Sequence, residues 1–120
     1  IDIEQKQKLE ELALFIFKAK DVFDLAQVEA KAKELDSKLQ SEDIWQDPQS
    51  AAKLSQELTE CKNTLEKTAN WDKSIEDCNV LIELYNETED ESLWEELQNT
   101  LDNLEKEMNE WEVEMTLSGE

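Results

Sequence analysis

The sequence predicts an all-α fold, an antiparallel helical bundle or coiled-coil hairpin of three to four helices, two of them long. Composition is the first observation, because the 120 residues include one glycine and one proline, the two residues that most disfavour helices. Periodicity is the second, since apolar residues recur at spacings of three and four. Charged residues make up 37% and hydrophobic residues 38% of the chain, a balance typical of amphipathic helices. We expect one helical domain over residues 1–120.

The first two helices are predicted over about residues 3–20 and 25–40. The inward positions of the first helix are Leu9, Leu12, Ala13 and Ile16, with Phe17 as a further candidate. Asp24 is the expected N-cap of the second helix, with Gln27 at its third position. The second helix carries a coiled-coil-like apolar seam at Leu25, Val28, Ala32, Leu35 and Leu39.

A break is predicted between Gln40 and Asp47, before a long third helix over about residues 48–86. Pro48 suits the first helical position, where its missing N–H would be unpaired anyway. Trp45 lies in the break, and we expect it to plug the end of the bundle rather than to face a partner. The third helix carries two apolar runs whose phase shifts around Thr68: Ala51, Leu54, Leu58, Cys61 and Leu65, then Trp71, Ile75, Cys78, Ile82 and Tyr85.

A turn over residues 86–90 precedes a fourth helix, predicted over about residues 91–117. Thr88 with Glu91 three residues later forms a candidate capping box, and Asp90 is the competing cap. The apolar seam of this helix is Leu93 or Trp94, then Leu97, Leu101, Leu104, Met108, Trp111 and Met115. Trp71 and Trp111 fall on apolar stripes and are expected to be buried. Two long helices joined by a short turn pack antiparallel.

The composition argues against an enzyme. Histidine is absent, although most hydrolytic triads, zinc sites and di-iron bundles require it. With one glycine the chain lacks phosphate-binding glycine loops. Carboxylate pairs at helical spacing could bind a hard cation in principle: Glu91 with Glu95, and Glu107 with Glu110. We expect no catalytic residue, no cofactor and no metal site.

Charge is distributed unevenly along the chain. The net charge is −20; residues 1–73 hold 16 acids and 11 lysines, whereas residues 74–120 hold 16 acids and the single base Lys106. Such a surface repels phosphate, so no direct nucleic-acid partner is expected. A basic protein surface is a possible partner, and a merely solvated face remains the alternative.

Cysteine usage and hydropathy indicate the compartment. Cys61 and Cys78 lie 17 positions apart on one predicted helix, about 25 Å at 1.5 Å per residue, too far for a disulfide. Two free thiols suit a reducing cytosol. No apolar stretch approaches the roughly 20 residues that span a bilayer, and no secretion signal is visible. A cytoplasmic location without membrane association is therefore expected.

Residues 33–49, with the long acidic hairpin after them, resemble the amino-terminal domain of bacterial peptide chain release factor 2. The element that carries the resemblance is Asp43-Ile44-Trp45-Gln46-Asp47-Pro48, because this family follows a helix with an Asp-aliphatic-Trp-x-Asp/Asn-Pro motif. The terminal Ser118, Gly119 and Glu120 are similar to the family's interdomain junction. The resemblance covers about residues 24–120 and implies a fragment of a longer protein.

The resemblance also implies a function. In the family, Ser-Pro-Phe reads the stop codon and Gly-Gly-Gln triggers peptide release, and this chain contains neither motif. What it implies here is a non-catalytic arm that docks at the stalk base of the large ribosomal subunit, against basic ribosomal protein and near the GTPase release factor. The alternative hypothesis is a structural helical-bundle module of the spectrin kind.

Overall fold

The structure is a computed structural model that describes residues 3–117, and within that range it is all-α, as predicted. The helices are α1 (Ile3–Phe23), α2 (Leu25–Leu39), α3 (Pro48–Thr88) and α4 (Glu91–Leu117). A 3-10 turn, Asp43–Gln46, lies in the break between α2 and α3. The predicted helix ends differ from these bounds by at most three residues, and the largest difference is that α1 continues to Phe23.

An aspartate immediately precedes three of the four helices. The Asp24 Oδ1 accepts a hydrogen bond from the Gln27 N–H at 3.5 Å, and Asp24 itself is left-handed with φ 49°. Asp90, and not Thr88, caps α4, because the Asp90 Oδ1 accepts from the Ser92 N–H at 2.9 Å. Thr88 is the last residue of α3, and its hydroxyl donates to the Leu84 carbonyl at 2.8 Å. The predicted capping box at Thr88 was therefore wrong, and the competing cap is the one observed.

The described residues form two compact units, one of residues 3–18 with 70–117 and the other of residues 19–69. In the first unit, α1 and α4 run parallel, since residues contacting across them rise together along both helices. Gln5 donates to Gln98 at 2.9 Å, and Phe15 lies 5.8 Å from Trp111 between ring centroids. The α3 portion runs antiparallel to α4, because the two helices are joined by residues 89–90 alone.

The core of the first unit is built on aromatic and leucine side chains. Trp71 is 1% exposed and meets Trp111 edge to face at 5.8 Å, an arrangement favourable for aromatic pairs. Trp71 is thus buried as predicted, whereas Trp111 is half-buried. Phe17 is 74% exposed, so its predicted inward position was wrong, and Phe15 contacts the core instead. The other buried apolar residues are Leu9, Leu12, Ile16, Cys78, Leu81, Leu97, Leu101, Leu104 and Met108.

The second unit pairs α2 with the first half of α3. Its core is Leu35, Leu58 and Cys61, against which Val28, Ala32, Leu39 and Leu54 pack while only partly buried. The seam predicted on α2 therefore meets α3 through Val28, Ala32, Leu35 and Leu39, whereas Leu25 is not part of this cluster.

The change of phase predicted around Thr68 in α3 was wrong, because Thr68 itself occupies a buried position. It is 3% exposed, and its hydroxyl donates to the carbonyls of Thr64 at 3.2 Å and Leu65 at 3.1 Å. Because the hydroxyl is satisfied inside the helix, a polar residue can occupy a buried position. The buried positions of α3 consequently continue at alternating spacings of seven and three: 51, 58, 61, 68, 71, 78 and 81.

Candidate functional site

The carboxylates singled out as possible cation ligands do not form a metal centre in the described part of the chain. Residues 3–117 bring no three His, Cys, Asp or Glu side chains together in an arrangement that could hold a metal ion. Glu91, Glu95, Glu107 and Glu110 are all exposed along α4. No helix within residues 3–117 is long and apolar enough to cross a membrane. The candidate functional features of the described residues are surfaces.

The most distinctive surface is the Trp45 turn, which we define as residues 40–47 between α2 and α3. Trp45 is 58% exposed, so the prediction that it plugs the bundle end was wrong. Its indole Nε1 donates to the carbonyl of Leu39 at 2.7 Å. Leu39 ends α2, and the last carbonyls of a helix have no partner within it. This hydrogen bond holds the indole over the helix end instead of in a core.

The other residues of the predicted signature element form the connection from the 3-10 turn to the start of α3. Asp43 is the first residue of the 3-10 turn, and Ile44 is half-buried. Asp47 accepts hydrogen bonds from the Ser50 hydroxyl at 2.7 Å and the Ser50 N–H at 3.4 Å. These bonds lower the pKa of Asp47 below its ordinary value. Pro48 is the first residue of α3, as predicted, and the element's role as a functional site stays a prediction.

The electrostatics of the Trp45 turn are negative. Residues 40–50 contain the carboxylates of Glu42, Asp43 and Asp47 and no lysine. Lys38, just before the turn, forms an ion pair with Glu34 at 3.1 Å between Nζ and Oε1. The turn therefore combines an exposed indole with exposed acids.

A second acidic surface follows the outer face of α4. An open depression of about 540 Å³ on this helix is lined by Asp102, Glu105, Lys106, Asn109, Glu110, Val113 and Glu114. Val113 is 57% exposed, so the surface is not purely polar. Lys8 of α1 pairs with Glu105, and the hydrogen bond to Glu105 raises the pKa of Lys8. Apart from this pair, the carboxylates of the surface stand in excess over cations.

The thiols do not form a reactive site. Cys61 and Cys78 are both free and buried. Burial, the largest cause, raises the pKa of the Cys78 thiol to about 11. The thiol is then almost entirely protonated near neutral pH and is a poor nucleophile.

Sequence reasoning missed one feature of the Trp45 turn. The exposure of Trp45 was missed, although the need of an indole N–H for a hydrogen-bond partner was a usable signal. The predicted interdomain junction Ser118, Gly119 and Glu120 lies outside the described residues.

Comparison with known proteins finds one matching domain family and relatives that share one name. The sequence matches the PCRF domain family over residues 28–120. It is 34% identical over 116 residues to peptide chain release factor 2 of Clostridium perfringens strain SM101, covering 97% of this chain and 32% of that protein. The same-named protein of Shewanella woodyi is 29% identical over 114 residues, 95% of this chain and 31% of the relative.

A third relative extends the match to the whole sequence. Peptide chain release factor 2 of Petrotoga mobilis is 28% identical over 120 residues, covering 100% of this chain and 32% of that protein. The chain thus spans about a third of the length of the curated relatives it matches. The resemblance noted from the sequence is confirmed.

Proposed function

The chain belongs to the PCRF domain family, and we propose that it is the non-catalytic helical domain of a translation termination factor of the release factor 2 type. The observation that carries the proposal is the match over residues 28–120, together with relatives named peptide chain release factor 2 that align over nearly all of this chain. No observation on the described residues favours the spectrin-like alternative over this family.

The chemistry of the chain supports a non-catalytic role. The sequence contains no histidine, no Ser-Pro-Phe and no Gly-Gly-Gln, and the Cys78 thiol is held in its protonated form. Stop-codon reading and ester hydrolysis are therefore assigned to other parts of such a factor. The domain would contribute binding and orientation.

The partner we propose is the large ribosomal subunit in the cytoplasm, at its stalk base, with the GTPase release factor nearby. The charge of the chain, −20, supports a protein contact over an RNA contact, because acidic surfaces associate with basic proteins and repel phosphate. The Trp45 turn and the outer face of α4 are the two acidic surfaces that could make this contact.

Co-sedimentation with purified ribosomal subunits tests the proposal. We expect the chain to sediment with intact large subunits, and to a much smaller extent with large subunits depleted of their stalk and stalk-base proteins. Small subunits and protein-free ribosomal RNA are the controls and should not retain it. Equal recovery with intact and depleted subunits would contradict docking at the stalk base, and no recovery with either would contradict ribosome binding.

A further inference from the structure

Trp45 is the most exposed of the four tryptophans. It is 58% exposed while Trp71 is 1% exposed, and Trp94 and Trp111 are half-buried. An exposed tryptophan contributes little to folding, since its apolar area stays in water. Exposed tryptophans are, however, among the commonest anchors of protein interfaces. The exposure of Trp45 therefore indicates an interface with a partner.

The exposed indole is held in one position. Its Nε1 donates to the Leu39 carbonyl at 2.7 Å. The backbone beneath it is fixed by hydrogen bonds from the Trp45 N–H to Glu42 and from the Asp47 N–H to Ile44, each 3.2 Å. A side chain that is already ordered loses little conformational freedom on binding. The Trp45 turn is therefore preorganised for binding.

The surroundings of the indole select the chemistry of the partner. Glu42, Asp43 and Asp47 are exposed, and the hydrogen bonds from Ser50 lower the pKa of Asp47. A lysine or arginine side chain can lie over an indole face while its charge meets these carboxylates. Single-stranded nucleic acid also stacks on aromatic residues, but such sites need a basic groove, and residues 40–50 contain no lysine.

We infer that the Trp45 turn is a docking site for a lysine- or arginine-rich protein segment, with the indole face as its anchor and Glu42 and Asp43 as its ionic rim. The inference deepens the function proposed above and rests on it, since the basic segment would belong to a protein of the large ribosomal subunit.

A purely structural role for Trp45 makes a different prediction. If the indole only closes the end of α2, its N–H is the group that matters. Trp45→Phe removes the N–H and keeps an aromatic face, whereas Trp45→Ala removes both. A docking anchor predicts that the phenylalanine variant keeps most of the binding. A helix-end role predicts that the two variants behave alike.

The experiment measures the dissociation constant of the chain for purified large ribosomal subunits. We expect Trp45→Ala to weaken binding about 30-fold, which corresponds to the ~2 kcal/mol of an interface anchor, and Trp45→Phe to weaken it less than about fivefold. Glu42→Gln with Asp43→Asn should weaken binding at low salt, because opposite charges across an interface attract most strongly when unscreened.

Two controls match these variants. Phe17→Ala removes an aromatic side chain that is 74% exposed on α1, and Glu10→Gln with Glu11→Gln removes two adjacent exposed acids. Both should bind within about twofold of the unaltered chain, the scatter expected away from an anchor. Thermal unfolding of every variant confirms that the fold is retained.

Each outcome bears on the inference. If the unaltered chain binds large subunits and Trp45→Ala binds equally well, the inference is overturned while the proposed function stands. Equal loss in Trp45→Phe and Trp45→Ala also overturns it, in favour of the helix-end role. Trp45-dependent binding to protein-free ribosomal RNA would replace the protein partner by a nucleic acid. If the unaltered chain does not bind the subunits at all, both the proposed function and the inference fail.

Discussion

Replacing Leu97 by alanine tests whether the buried face of α4 is placed correctly. Leu97 is 1% exposed, whereas Leu117 on the same helix is 82% exposed, so the two leucines form a matched pair. Leu97→Ala removes three buried carbon groups at about 0.8 kcal/mol each, or about 2.4 kcal/mol. An unfilled cavity adds to this cost, up to a total of about 5 kcal/mol. Leu117→Ala should cost about 0.4 kcal/mol, since about a fifth of that side chain is shielded.

Urea unfolding followed by circular dichroism and by tryptophan fluorescence measures both variants. We expect the midpoint of Leu97→Ala to fall clearly and that of Leu117→Ala to remain near the unaltered value, with similar m-values. Two probes are needed because the described residues form two compact units, which need not unfold together. A Leu97→Ala midpoint equal to that of Leu117→Ala would refute the placement of this face.

The remaining predictions concern a helix cap, a thiol and a buried hydroxyl. Hydrogen bonds from Ser92 lower the folded-state pKa of Asp90 below its ordinary 3.8, so the cap stabilises above that pH and loses its effect as pH falls through the folded pKa. Asp90→Ala should therefore lower the melting temperature at neutral pH, and the difference should shrink in acid; a constant difference would contradict the cap. In a Cys61→Ser variant, the remaining thiol of Cys78, with its pKa raised from 9.0 to about 11, should be alkylated about 100-fold more slowly in the native state than in urea; equal rates would show that Cys78 is accessible. Thr68→Val should keep the free energy of unfolding within about 1 kcal/mol, because the hydroxyl bonds only within its own helix, whereas a loss of several kcal/mol would show that the hydroxyl has a tertiary role.

Helix bounds could be predicted because the signals that set them are local. Asp24, Asp47 and Asp90 each precede a helix and bond to an N–H two or three residues later. Pro48 fixes the start of α3 in the same local way. These interactions require no knowledge of the rest of the fold, and every helix end came within three residues.

The buried face of α1 was harder to predict because its apolar residues do not form a single stripe. Leu12 to Phe17 is a continuous apolar run, and residues two apart on a helix point about 200° away from each other. Phe15 and Phe17 are therefore on opposite sides, and only contact with Trp111 shows that Phe15 is the one inside. Tertiary packing therefore determines which phenylalanine of α1 faces the core.

The wrong predictions at Thr68 and Trp45 have a common cause, which is the hydrogen bonding of their polar atoms. Burial of Thr68 depends on its hydroxyl reaching two carbonyls of the preceding turn, which apolar periodicity does not register. Trp45 was expected inside because of its apolar area, yet its indole N–H bonds the end of α2 and leaves the ring 58% exposed. The signature element around Trp45 could be singled out from the sequence, whereas the exposure of its indole came only from the structure.

Zero-length carbodiimide cross-linking on the large ribosomal subunit tests the central claim that this chain is an acidic docking domain. The reagent joins carboxylates to amines in direct contact, so mass spectrometry identifies which lysines the chain touches. We predict that Glu42, Asp43 and the carboxylates of α4 cross-link to lysines of ribosomal protein at the stalk base. Cross-links scattered over unrelated subunit proteins, or none above those of a protein of equal charge, would contradict the claim.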